Sequence, residues 1–234
     1  MSSSVLRYES SDEEEDDELF GDGHLVLRNE DVILLRQAFM NEKVAPEILP
    51  FKERLVRDLK DQIENQQAVI DETPADADEA FASELYQMEI DRIKYLLASY
   101  LRTRIFKLQK NVLYILGNEE QHSRLSLREF EFAKKYLNLI QGHLNERVLG
   151  ELPDEYASLT SKYEGGEDNP AADTSMIPSP DLDAFVFCQV HRDVGTIVVD
   201  DDGNVQAQLN KGDLFASRYR CIQGLVEDGA VTLV

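Results

Sequence analysis

The chain has 234 residues, with 46 acidic against 24 basic side chains and a formal net charge of −22. That length allows one large domain or two small ones with a sizeable core, and the charge repels free DNA or RNA while favouring basic partners. No apolar run approaches the ~18 residues needed to cross a bilayer, so a membrane-spanning role is not expected.

Residues 1–23 read as a disordered acidic tail, because SSDEEEDDELFGDG holds too few apolar groups to offset the entropy of ordering. Leu19 and Phe20 stand behind a block of acids. They fit either a plain solubility tail or a short peptide that anchors both side chains in a partner's groove. Ser10 and Ser11 each have a glutamate three residues on, the pattern of acid-directed kinase sites.

Asn29 is placed to cap a helix from Glu30 to about Asn41, with Val32, Leu35, Ala38 and Phe39 on its buried face. Val44-Ala45-Pro46 breaks the chain, and Pro50 starts a second helix from Phe51 to about Ile70. Residues 71–80, DETPADADEA, read as an acidic loop.

Residues 83–117 form the spine of the sequence. The stretch has no proline and no internal glycine, and Tyr86, Ile90, Ile93, Leu97, Tyr100, Ile105, Leu108 and Val112 recur at helical steps. A second row, Leu85, Met88, Leu96, Leu101 and Leu113, widens the apolar surface. Acids lie early and bases late, which suits the helix dipole, and Gly117 is a stop signal. A helix apolar on more than one face needs partners on more than one side.

Ser126-Leu127-Arg128-Glu129 is a capping box, opening a further helix that Gly150 and Pro153 end. Beyond Gly165-Gly166 and Pro170 the period changes from helix to strand. Strands are expected over residues 184–190, 196–199, 205–209 and 230–234, with turns at 201–204 and 210–213. Residues 218–222 read as a short strand or the start of a short helix. The expected class is therefore α+β: a tail over 1–23, a helical bundle over 24–150, a linker over 151–180 and a small β-rich domain over 181–234.

No catalytic constellation stands out. Cys188 and His191 have ligand-like spacing but lie near one strand with no second pair, so neither metal nor other cofactor is expected. Residues 200–203 resemble part of a calcium loop without its downstream glutamate, and a hairpin turn is the better account. Cys188 and Cys221, with no signal-peptide pattern, give the expectation of reduced thiols in an intracellular protein. Arg102 and Arg104, in a cluster with Lys107 and Lys110, suit pairing with carboxylates of a neighbouring helix or subunit. A phosphate contact and a solvated face are the alternatives. Tyr95, Tyr100 and Tyr136 are candidate partner contacts, or else close the chain's own bundle.

The runs AFMNEKVAPEIL (38–49), YQMEIDRIKYLLASYLRTRI (86–105), LSLREFEFAKKYL (125–137) and PSPDLDAFVF (178–187) resemble the SLD-five type of GINS subunit. That resemblance implies a nuclear, non-enzymatic member of a heterotetramer with three sister GINS subunits, its helical domain first. It implies attachment to the minichromosome-maintenance helicase ring and the Cdc-forty-five factor, in initiation and elongation of DNA replication. The tail lies outside the matched runs, and its local chemistry alone leaves a replisome adaptor as one candidate ligand beside the plain solubility tail; direct nucleic-acid contact is not expected. The rival reading is a free-standing acidic adaptor that recruits basic proteins through its tail and helices.

Overall fold

The structure is a computed structural model and describes residues 30–72, 77–153, 159, 162–163, 174–175, 177–198 and 206–234. Leu19, Phe20, Ser10, Ser11, the Asn29 cap and the turn over 201–204 lie outside the described residues. The architecture is α+β, a helical bundle followed by a small sheet module.

The helices are α1 (Glu30–Val44), α2 (Glu53–Glu72), α3 (Ala77–Lys110), α4 (Val112–Gly117), α5 (Glu119–His122) and α6 (Leu127–Arg147). A short 3-10 turn, Leu149–Glu151, follows α6. The acidic loop expected over 71–80 is corrected at both ends, since α2 runs to Glu72 and α3 begins at Ala77. The added α3 residues Glu79 and Ala80 are good helix formers that acidity alone had marked as loop, and Phe81 and Ala82, between the expected loop and the spine, are helical too. With 34 residues, α3 is on the order of 50 Å long. Its turn at Asn111 hardly interrupts the ladder: the Asn111 amide donates to Lys107 O at 3.0 Å, and Ile115 to Asn111 O at 2.9 Å.

The later elements are β1 (Lys162–Tyr163), β2 (Thr174–Ser175), β3 (Phe185–Val190), β4 (Gly195–Val198), β5 (Gln206–Leu209), β6 (Leu214–Arg218), α7 (Tyr219–Glu227) and β7 (Val231–Leu233). Strands β6, β3 and β7 form an antiparallel sheet in that order; β4 pairs with β5, and β1 with β2. The segment left open at 218–222 is helical from Tyr219. Strand β6 was not foreseen as such: LeuPheAlaSerArg has weak strand propensity, and its ladder with β3 forms it. Gly229, at φ 67°, turns α7 into β7. The Ala230 amide bonds Leu225 O and Gly229 bonds Val226 O, so two last-turn carbonyls are satisfied there.

The residues sort into two compact units. Among the described residues, one takes those within 30–46, 52–101 and 182–234; the other takes Glu47–Phe51 and those within 102–181. In the first, Leu35, Val56, Leu59, Ile90, Leu97 and Tyr100 are buried along α1, α2 and α3. In the sheet module, Val186, Cys188 and Val190 of β3 are buried, as are Tyr219, Ile222 and Val226 of α7. The Leu233 amide of β7 donates to Asn41 Oδ1 of α1 at 2.8 Å, giving that strand's amide a partner from a helix. The second unit packs Ile48, Leu108, Val112, Ile115 and Ala133 together.

Candidate assembly interface

The cations of α3 divide by face. Arg104 and Lys107 point inward, whereas Arg102 and Lys110 are exposed. Arg104 is 0 % exposed and forms a fork with Glu129 of α6, Nε to Oε1 at 2.7 Å and Nη2 to Oε2 at 3.1 Å. Its Nη1 also donates to Leu49 O at 2.6 Å, and Nη2 to Arg124 O at 3.0 Å. The guanidinium lies over the Phe51 ring, 5.2 Å from its centre.

The segment Glu47–Phe51 is neither helix nor sheet, yet Glu47, Ile48 and Leu49 are buried, so their carbonyls need donors. Each finds a cation: Lys107 Nζ donates to Glu47 O at 2.7 Å, Arg124 Nη1 to Ile48 O at 3.1 Å, and Arg104 to Leu49 O. Arg124 also pairs with Glu47 Oε2 at 2.9 Å. Glu129 serves two structures at once, because Oε2 also accepts from the Ser126 amide at 2.9 Å and from Ser126 Oγ at 3.0 Å. The cap of α6 and the Arg104 pair thus share one carboxylate. Glu129 sits three residues past the cap, a position readable from the sequence; its second partner was not.

Of the alternatives open to these residues, Arg104 takes the pairing with a neighbouring helix and Tyr100 the closing of its own bundle, so only their reading as contacts to another protein is corrected. Arg104 is enclosed by its own chain, and so is Tyr100, 1 % exposed, whose hydroxyl accepts weakly from the Lys52 amide at 3.4 Å. A side chain without surface cannot touch another protein. Tyr136 is half-buried and stacks on Phe132, with ring centres 5.8 Å apart. Tyr95 is 64 % exposed and Arg102 lies on the surface.

Tyr95 has company. Phe81, Leu85, Met88 and Tyr95 are all exposed, and their steps of four, three and seven residues place them on one face of α3. Met88 is 68 % exposed. Four large apolar side chains in a row facing water form the kind of patch that marks an interaction site. Phe81 was missed because it fell between the expected loop, which ends at Ala80, and the spine, which begins at Ser83; the i, i+4, i+7 spacing was the available signal. A neighbouring face of α3 borders a cleft of about 1140 Å³ between α1, α2 and α3. On the sheet module, Phe185 and Phe187 alternate outward from β3 while Val186 and Cys188 are buried.

Ligand chemistry is sparse. Among the described residues no group of three or more His, Cys, Asp or Glu could hold a metal ion, and no helix is long and apolar enough to cross a membrane. His191 Nε2 sits 2.7 Å from Thr232 Oγ1. Burial pushes the Cys188 thiol up from 9.0 to about 12, so it is a packed strand residue and not a nucleophile.

Comparison with known proteins matches residues 58–148 to the GINS complex protein helical bundle domain and residues 180–234 to the DNA replication complex GINS protein SLD5 C-terminus. Relatives named DNA replication complex GINS protein SLD5 align along most of the chain. The one from Arabidopsis thaliana is 33 % identical, covering 91 % of this chain and 95 % of its own. Those from Homo sapiens and Schizosaccharomyces pombe are each 31 % identical, covering 86 % and 84 % of this chain and 87 % and 88 % of their own.

Proposed function

The chain belongs to the SLD5 family of GINS proteins of DNA replication, and from that premise we propose that it is a non-enzymatic structural subunit of a heterotetrameric GINS complex within the nuclear replicative helicase. Three sister subunits would cover its helical surfaces. The minichromosome-maintenance ring and the Cdc-forty-five factor would meet the assembled particle. The subunit would act by fixing the geometry of its partners, without turning over nucleotide, in a division of labour along residues 24–150 and 181–234 joined by 151–180. Its acidic tail, with Leu19 and Phe20, would serve as a tether for a replisome adaptor.

The observation that carries this reading is the exposed row Phe81, Leu85, Met88 and Tyr95 on the longest helix. A chain with 46 acidic residues has ample means to solvate that face, yet it presents aromatic and aliphatic groups there. An obligate interface buries on the order of 2,000 Å² or more, which a row on a helix of this length can anchor. The test is co-expression with the three sister subunits and mass measurement of the intact particle. One copy of each subunit is the expected result. A lone chain that stays monomeric, stable and indifferent to its sisters would favour the free-standing adaptor.

A further inference from the structure

The sheet β6-β3-β7 has two outer edges, and the chain treats them differently. Alternation along each strand decides which backbone groups face out. The Tyr219 amide donates to Ala184 O and the Val190 amide to Asp213 O, so in the same register Phe215 and Ser217 bond toward β3. Leu214 and Ala216 therefore turn their amides and carbonyls to the outer side of β6. At the opposite edge the Val234 amide donates to Phe187 O, which turns Leu233 outward, and there its amide meets Asn41 Oδ1 of α1 at 2.8 Å. Helix α1 thus closes the β7 edge. Among the described residues nothing pairs with the outward backbone groups of Leu214 or Ala216. Residues 214–217, LeuPheAlaSer, also hold neither a proline nor a charge, the usual means of blunting an edge.

We propose that β6 accepts one extended strand from a protein outside the fixed subunits of the particle, a peptide in which apolar residues alternate with lysine or arginine. This goes beyond the assembly reading, because it assigns a surface that the assembled subunits leave open. Three observations choose the occupant. Outward amides and carbonyls are complementary to another extended backbone, whereas a helix has already used its own. Leu214 and Ala216 are exposed on the same face as Phe187 and Phe185, which are 62 % and 72 % exposed, so apolar side chains at alternate positions of an added strand extend that face. The third is charge. The chain carries −22, and residues 181–234 hold more acids than bases, which disfavours a second copy or the chain's own acidic segment over 12–18 and favours a cationic peptide. Strand β6, Leu214–Arg218, spans about 17 Å at ~3.4 Å per residue, which sets the length of the added strand.

The test adds a synthetic peptide of about seven residues, alternating valine and lysine, to the co-expressed complex and follows hydrogen exchange over residues 213–218. The expected result is exchange slowed about tenfold at Leu214 and Ala216. N-methylation of one alternate set of peptide amides should abolish the effect, and methylation of the other set should leave it. Ala216→Pro removes an outward donor at a position where edge strands tolerate proline, and should weaken binding about tenfold with the β3 ladder intact. Strong protection of Leu214 and Ala216 in the complex before peptide is added would overturn the proposal, since a fixed subunit would then occupy the edge. Equal binding of the two methylated peptides, equal binding of a valine–glutamate peptide, or no slowing at all would also overturn it. Each of these outcomes leaves the assembly reading standing, because that reading rests on the mass of the particle.

Discussion

Arg104 and Glu129 illustrate how far a residue's chemistry can be read before its partners are known. An arginine in a helical spine suits a bidentate pair with a carboxylate, and Arg104 makes one. The location was hidden, because Glu129 is 25 residues away in sequence and the Leu49 carbonyl 55. With its partner removed, Glu129 would be left charged in a buried site. Arg104→Ala is thus expected to lower unfolding free energy by ~3–5 kcal/mol, and Lys110→Ala at the exposed end of α3 by no more than ~0.5 kcal/mol. Denaturant midpoints measure both. Arg104→Lys should rescue little, since an ammonium cannot span Glu129, Leu49 O and Arg124 O together. Cys188 gives a second residue-scale test. The folded thiol stays protonated up to about pH 12, whereas the unfolded one ionises near 9. Above pH 9 the unfolded state therefore binds fewer protons. This group's contribution is fully present below pH 9 and declines as pH rises toward 12. Alkylation at pH 8.5 should modify half-buried Cys221 while leaving Cys188 intact until denaturant is added.

Among the elements, long periodic helices were the most legible. The start of α6 and most of α3 follow from apolar spacing and capping chemistry, and the capping box at Ser126 is present in full. Ser126→Ala removes the acceptor for the Glu129 amide and one donor to the carboxylate that holds Arg104. The expected loss is ~1–2 kcal/mol, at the upper end for a cap, read from thermal unfolding. Short elements were less legible for a physical reason. Strand β6 exists through its ladder to β3, and α7 ends on a glycine whose φ of 67° suits few other residues. The exposed row on α3 belongs to this scale too. Met88→Asp with Tyr95→Asp should leave the melting temperature of the lone chain nearly unchanged, because both side chains already face water. The same pair should abolish co-purification with the sister subunits.

For the whole molecule, the α+β class and the order of helical and β-rich regions were readable from the switch in period. The grouping of residues was not. Glu47–Phe51 belongs with residues beyond Arg102 because three consecutive carbonyls find cationic donors there, and no local pattern announces such long-range pairing. Likewise, the amphipathic spine announced surplus apolar surface but not which parts of it the chain keeps for itself. Tyr100 goes inside and Tyr95 stays out. The assembly account stands or falls on what covers that remaining surface. Hydroxyl-radical footprinting of the lone chain and of the co-expressed complex reads it directly at Phe81, Met88 and Tyr95. Fast modification in the lone chain and strong protection in the complex is the predicted result; equal rates in the two states would contradict it.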